Sequence, residues 1–585
     1  MLSLPFLQQA FAQTIPFLKS KNYEVIFEVV DKKLRIWLEE VSTLRKSEED
    51  VPSVSLLKKR AEDDLPELLK ALHSRGYYSA VINVNIVEGA EGKKDKAIYN
   101  IQPGALYHIE SEEITLIPPT PADIKIPDLK AVKPSIGKPA DAGVLLEGAS
   151  IIRKYIAENN CLLSVDVKPA MRLNTAKNTA SAFFEVATGS NANFGELIIN
   201  GNENVKESAI RKLIPWKKGE CFNASTVDKA KSKLLKSGLF SVTEITPGAM
   251  PDENGEVAVT ITIKERFHRT VKTGLSYMTD EGLGISAGWE HRNLFKGGEK
   301  LEVLGVVSEL KSSAEASFTK PAFLRSDQSL KLGARAAHEE PAAYTSDNIS
   351  LTSLIERELN NYLRVGAGVG YRLSHVEDII TGEEDYGLIY LPLYGAYDSR
   401  DDVLNPKKGI NARIDGAPYF DTLGSDARFI RTVANASTYF SLPGRLEPVL
   451  AVRGALGSIN GASTSDIPAD VRLYAGGGSS VRGYGYQELS PELNGEPIGG
   501  KSLMEISTEV RMKFTDTFGG AVFLDGGNAF ENEYPDFKEG VRWGAGVGIR
   551  YYTGFGPLRL DVAMPLDKRT SDSSYQLYVS LGQAF

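Results

Sequence analysis

Cysteine is nearly absent. Cys161 and Cys221 are the only two in 585 residues, and nothing after Cys221 adds a third. That excludes a disulfide framework, and the sequence leaves open whether these two pair. Long apolar runs are missing too. No stretch of about 18 uninterrupted apolar residues occurs, which excludes a spanning helix. A spanning barrel escapes that test, because its apolar residues alternate with polar ones. Positive charge is not in excess: 67 Lys and Arg against 76 Asp and Glu leave a net charge of −9, which argues against basic-patch binding to nucleic acid or to an anionic membrane surface. The six histidines, at 73, 108, 268, 291, 338 and 375, show no metal-ligand spacing. No metal, no cofactor and no catalytic residue is therefore expected.

What is present supports large cores: 42% of residues are hydrophobic and 24% charged. At about 150 residues per domain the length suggests roughly four domains. The segment Met1–Gln13 is apolar and reaches Ala10-Phe11-Ala12, which resembles a signal cleavage site but lacks a basic leader. Residues 1–19 are accordingly expected to be a signal remnant or a flexible N-terminus.

Glycine splits the chain in two. Of 54 glycines, 14 fall in residues 1–265 and 40 in residues 266–585. Helices do not tolerate the second density, since each interior Gly costs about 1 kcal/mol. In the first half a helix pattern three times closes at Gly or Asn and runs into an apolar strand. The closures are Gly76 before Tyr77–Val81, Asn160 before Leu162–Val165, and Gly238 before Leu239–Val242. Gly and Asn are the residues that tolerate a left-handed helix C-cap. Near-constant spacing marks true repeats, expected at 20–104, 105–190 and 191–265. Strand patterns at Gly195–Ile199, Ala182–Val186 and Val257–Ile263 complete a β-α-α-β-β unit, a small sheet covered by helices. Its exposed edge can accept another strand.

Residues 266–585 alternate with period two. Val365, Ala367, Val369, Tyr371 and Leu373 share one face, while Arg364, Gly366, Gly368, Gly370 and Arg372 share the other. Val541–Tyr551 and Leu558–Met564 repeat the pattern. A face of arginine and glycine opposite an apolar one fits a barrel with lipid outside and a polar lumen. At about 20 residues per strand and connection, this half makes roughly 16 strands.

Two enzyme-like patterns lack their context. Gly495–Ser502 has phosphate-loop spacing, but Pro497 removes an N–H and a strand pattern comes next where a helix is needed. Gly284-Ile285-Ser286-Ala287-Gly288 has nucleophile-elbow spacing, yet a period-two strand runs through it. Three other stretches stand out together. They are the glycine-flanked loop Gly476–Tyr486, the charged turn Asp398–Asp401 leading to Pro406 and Gly409, and Phe523–Asn528, which places Asp525 mid-strand after Ser507-Thr508-Glu509-Val510.

These residues resemble the outer-membrane assembly and translocation superfamily, in which periplasmic POTRA domains precede a 16-stranded barrel. The tetrapeptide Val481-Arg482-Gly483-Tyr484 is similar to that family's lumen loop, and the 398–409 turn and the 523–528 strand are similar to two more of its motifs. The resemblance implies α+β POTRA-like repeats followed by an all-β transmembrane barrel of about 16 antiparallel strands at 266–585. It places the chain in the bacterial outer membrane with its repeats in the periplasm. It implies that Arg482 pairs in the lumen with Glu509 and Asp525. Three repeats resemble the TamA-like subunit of the translocation and assembly module, which would act on unfolded β-barrel clients such as autotransporters, with outer-membrane lipid around it and a TamB-like inner-membrane-anchored partner. The seam would join strands near Arg269–Tyr277 and Tyr575–Phe585. Gly274 and Gly582 would weaken it, and Tyr277 and Phe585 would lie along it, with Gln583 on the lipid face. Alternatives are a two-partner secretion transporter, the central barrel-assembly protein, and, from a different class, a passive porin or receptor.

Overall fold

The computed structural model describes residues 23–585 except 48–49, 91–92, 119–122, 133–135, 425–426, 539 and 555. The signal remnant expected at 1–19 lies outside the described residues. The chain forms two compact units. One runs to Ile198 and includes Pro215–Lys231 and Ile245–Ile261; the other holds Ile199–Ile214, Ser232–Glu244 and Thr262–Phe585.

The first unit opens on a three-stranded sheet, Tyr23–Glu28, Asp95–Gln102 and Val81–Val87, with Asp95–Gln102 in the middle. Helix Val54–Ser74 starts where the Ser53 hydroxyl accepts the Leu56 N–H. Its apolar stripe of Leu57, Ala61, Leu68 and Leu72 packs on Val25, Tyr99 and Ile101 of that sheet. The helix stops at Gly76, whose φ of +90° no other residue type adopts readily. The second sheet orders His108–Ile117, Thr179–Thr188 and Val165–Asn174. It differs from the β-α-α-β-β pattern: a three-residue helical turn, Leu129–Ala131, precedes the single helix Ala142–Asn159. Asn160 also departs from the expected left-handed cap, having an extended φ of −135°. Its side-chain amide does the capping, donating to the Ile156 carbonyl at 2.8 Å and the Lys125 carbonyl at 3.0 Å. Cys161 and Cys221 form a disulfide.

A third sheet orders Asn193–Asn200, Glu256–Glu265 and Phe240–Pro247, with helices Glu207–Leu213 and Ala224–Lys236. In all three sheets the last strand in sequence is central, so each keeps two edges.

The barrel is closed and antiparallel, from Arg269–Met278 to Gln576–Leu581. It has sixteen strands, because Gly382–Tyr390 and Leu393–Asp398 are one strand interrupted at Leu391-Pro392. Both pieces pair with the same neighbours, Leu363–Asp378 and Gly409–Asp421. Proline cannot donate to the ladder, so the ladder lapses there while the register carries on, Tyr390 opposite Gly370 and Leu393 opposite Ala367. The alternation sorts side chains across the wall. Val369, Leu373, Val547, Ile549 and Leu560 point outward and are exposed, whereas Arg550, Arg559 and Asp561 point inward and are buried. No described helix is long and apolar enough to cross a membrane; the strands do so.

The chain end corrects one expectation. The last strand stops at Leu581, and Gly582, at φ +93°, turns the remaining residues into the lumen. Phe585 packs against inward-facing Tyr439, Val449 and Ala451. Gln583 is therefore not on the lipid face: it accepts from Arg550 Nε at 2.9 Å and donates to Asn405 Oδ1 at 3.0 Å.

Candidate functional site

Strands Val449–Asn460 and Ser502–Lys513 are joined by residues 461–501, which fold back into the lumen. The turn-back is driven by apolar burial: Ile467, Val471, Leu473 and Leu489 pack on inward-facing Val376, Leu388, Phe429 and Leu503. The phosphate-loop spacing lies within this segment, but Glu496–Pro497 pairs with Glu492–Leu493 and a strand opens at Ser502. No helix N-terminus stands there to meet a phosphate. Ser286 likewise sits inside strand Gly282–His291.

At the loop's tip Arg482 is buried, and each of its three guanidinium nitrogens donates to a carboxylate. Nε donates to Asp525 Oδ2 at 2.7 Å and Nη2 to Oδ1 at 3.0 Å, a bidentate pair. Nη1 donates to Glu509 at 2.8 Å and to Asp561 at 3.0 Å. The guanidinium carbon lies 3.4 Å from the Phe523 ring centroid. Val481 is buried in the loop core. Gly483 has φ +104°, and a Cβ there would meet the Met564 carbonyl carbon at 2.8 Å. Its N–H donates to the Tyr578 hydroxyl at 3.0 Å, on the last strand. Tyr484 donates to the Trp543 carbonyl at 2.9 Å. The structure thus brings Arg482, Glu509 and Asp525 together.

Sequence reasoning missed the rest of this network. Glu509 also accepts from Arg511 at 2.8 Å and Arg550 at 3.3 Å. Asp561 is bonded to Arg550 and lies 3.7 Å from Arg559. Arg511 then donates to the Phe585 carbonyl at 3.0 Å, which ties the chain end to the charge cluster. The lumen-facing arginines were visible in the alternation; their partners depend on register. The 398–409 turn takes part as well. Asp401 accepts the Lys407 N–H at 2.9 Å, and the Leu404 carbonyl accepts the Gln583 N–H at 3.3 Å.

The seam is the second element. The first strand shares ten register pairs with its neighbour Gly282–His291 but only two with the last strand, Tyr277 with Val579 and Met278 with Tyr578. The Thr279 N–H adds a bond to the Leu577 carbonyl at 3.0 Å. Tyr277 lies in the paired part. Gly274 lies in the unpaired edge Arg269–Ser276, which has no partner strand on that side among the described residues. Gly582 and Phe585 correct the expectation that both line the seam, because the inward turn takes them off it.

Two carboxyl groups outside the barrel strands lie near the two ends of the first strand. Asp280, in the turn above it, has neither carboxylate oxygen hydrogen-bonded among the described residues. Burial pushes its carboxyl up to about 7, with Glu281 and Glu488 adding to the rise. Glu265, at the foot of the first strand, shifts the other way. Burial raises it, but the Val205 and Asn204 backbone N–H groups and the Asn204 side chain outweigh that and hold it below the usual carboxylate range.

The arrangement is a clamp on the lumen loop and the chain end, beside a wall seam that is mostly unpaired. Comparison with known proteins agrees with that architecture. Residues 293–585 match the Omp85 superfamily domain, and residues 192–266 match the POTRA domain described as a surface antigen variable number repeat. The chain is 24% identical over 409 residues to outer membrane protein assembly factor BamA of Nitratidesulfovibrio vulgaris, covering 66% of this chain and 51% of that protein. It is 23% identical over 477 residues to BamA of Neisseria meningitidis, covering 70% of this chain and 59% of that protein. It thus spans little more than half the length of these relatives. Its fold is that of the crystal structure of BamA from Haemophilus ducreyi lacking POTRA domains 1-3, at TM-score 0.61 and 20% identity over 81% of this chain and 100% of that one. The chain belongs to the Omp85 superfamily, as a barrel of the bacterial outer membrane with its POTRA repeats in the periplasm.

Proposed function

We propose that this chain assembles other β-barrel proteins into the outer membrane by offering the free edge of its first strand to an incoming client strand. The observation that carries this reading is the seam, where two register pairs stand against ten on the strand's other side. An unpaired backbone group in hydrocarbon costs several kcal/mol. A client strand that pairs with Arg269–Ser276 removes that cost by β-augmentation. What remains to open is two register pairs and the Thr279–Leu577 bond at the strand's far end. The Arg482 clamp has a place in this cycle. Through Gly483 and Tyr578 it holds the last strand in position while the first strand's edge is engaged.

The open edges of the POTRA sheets would receive clients or a partner protein before insertion. The similarity to BamA supports assembly of outer-membrane proteins in general. The finer reading is a TamA-like subunit with autotransporter clients and a TamB-like partner; it is supported by the three POTRA-like sheets within residues 23–265. A photo-crosslinking residue at Ser276 tests the main reading. It should capture the terminal strand of a folding client. Capture equally efficient from an outward position on the far wall, such as Ile430, would refute the edge mechanism.

A further inference from the structure

Within the compact unit that holds the barrel, a cavity of about 440 Å³ lies between the third repeat's helices and the barrel's end turns. Its barrel side is built from strand ends: Lys300 opens a strand, Pro321 closes one, and Glu358 closes another. These ends share the periplasmic rim with Arg269, where the repeats feed into the first strand. Outward-facing aromatics mark the same level. Phe295 is exposed and stands 6.1 Å from the Phe318 ring, and Trp289 is half-exposed on a strand nearby. Such a belt sits at lipid headgroups.

The cavity has an apolar floor and a basic rim. Val205, Ile210, Leu239 and Phe240 form the floor, and all four are buried. Around them stand Lys206, Lys212, Lys233, Lys236 and Lys320, none of which makes an ion pair among the described residues. The other charges are largely spent. Lys300 is paired with Glu302 at 2.9 Å, and Asp327 is held by Arg357 at 2.8 Å and Arg325 at 3.1 Å. Five unpaired lysines against Glu299 and Glu358 make a local positive field in a chain whose net charge is −9. Like charges so placed repel one another, and an anion among them relieves that repulsion.

We propose that this cavity binds an anionic glycerophospholipid of the periplasmic leaflet. The phosphate sits among Lys206, Lys233 and Lys236, and the first part of an acyl chain lies along Ile210, Leu239 and Phe240. The volume suits a small amphiphile rather than an extended peptide. The site is lined mostly by helix and turn residues, with Phe240 entering from the start of edge strand Phe240–Pro247. Its position at the headgroup level supplies the lipid directly. A bound lipid bridges the third repeat's helices to the barrel rim.

The test uses the full chain in a nonionic detergent, titrated by calorimetry with dioctanoyl phosphatidylglycerol. Dioctanoyl phosphatidylcholine, inorganic phosphate and a glutamate-rich octapeptide serve as competitors. Saturable one-site binding of phosphatidylglycerol is expected, at least about tenfold tighter than phosphatidylcholine, because lysines beside the headgroup attract an anionic lipid and not a zwitterionic one. The triple variant Lys206→Gln, Lys233→Gln, Lys236→Gln should lose at least that factor. Ala209→Trp, which fills the cavity and keeps its charge, should lose binding too, and it carries the test should the triple variant fail to show heat-modifiable mobility. Equal affinity for the two lipids would overturn the proposal, as would no loss in either variant. Displacement by phosphate would make it a free-anion site, and displacement by the octapeptide a protein-docking site; either result also overturns it.

Discussion

Replacing Arg482 by alanine isolates the clamp. The substitution removes the bidentate bonds to Asp525, single bonds to Glu509 and Asp561, and the contact with the Phe523 ring. The three carboxylates do not suffer equally. Glu509 keeps Arg511 and Arg550, and Asp561 keeps Arg550 and Arg559. Asp525 keeps only the Ser507 hydroxyl among its side-chain partners. Breaking a buried pair and leaving one charge uncompensated costs about 3–5 kcal/mol. Arg482→Ala should therefore lower barrel stability by about that amount and leave a folded but poorly assembling protein. Adding Asp525→Asn removes the orphaned charge and should return about 1–3 kcal/mol. Adding Glu509→Gln should return little or cost more, because it strips a carboxylate from Arg511 and Arg550. Denaturant unfolding in detergent, followed by heat-modifiable gel mobility, measures all four proteins. Equal rescue by the two second substitutions would refute the assignment of Asp525 as the uncompensated partner, and so would an Arg482→Ala cost below about 1 kcal/mol.

Three other perturbations probe named groups. Asp280 has a carboxyl raised to about 7, so ionising it opposes the folded turn. That opposition is present above pH 7 and disappears as pH falls towards the unfolded value near 4. The parent's melting temperature should therefore rise from pH 8 to pH 5 by more than that of Asp280→Asn; parallel profiles would contradict this. Gly483→Ala must adopt φ +104° and press its Cβ on the Met564 backbone. It should cost about 1–3 kcal/mol and weaken assembly, and an unchanged denaturation midpoint would show that the loop tip yields. Reducing the Cys161–Cys221 disulfide, which spans 60 residues, should lower the first unit's stability by up to about 4 kcal/mol. Urea titration followed by the fluorescence of Trp37 and Trp216 would show it, and coincident curves with and without reductant would refute it.

Much of the wall was legible because barrels write it into a period of two. The alternation in Val541–Tyr551 already put Arg550 in the lumen, and Leu558–Met564 did the same for Arg559 and Asp561. Their pairing was not legible. Arg550 lies directly across from Arg559, and Gly548 from Asp561, so the ion pair runs diagonally across a register that no pattern discloses. The chain end misled for a related reason. The alternation of Tyr575–Leu581 extrapolates to Phe585 on the wall, but one left-handed glycine ends the strand, and anchors from Asn405 and Arg511 hold Gln583 and Phe585 inside. Asn160 shows the limit of a helix-end signal. Asparagine can cap by its backbone conformation or by its amide, and the sequence does not distinguish the two.

The central claim is that the seam opens to receive clients, and a reversible lock tests it most directly. Tyr277 and Val579 face each other in register, so Tyr277→Cys with Val579→Cys can be joined by a disulfide that locks the paired stretch. Folding of an outer-membrane β-barrel client into proteoliposomes holding the oxidised protein should fall to the level of empty liposomes and return on addition of reductant. Undiminished client folding with the lock shown to be fully formed would contradict the account.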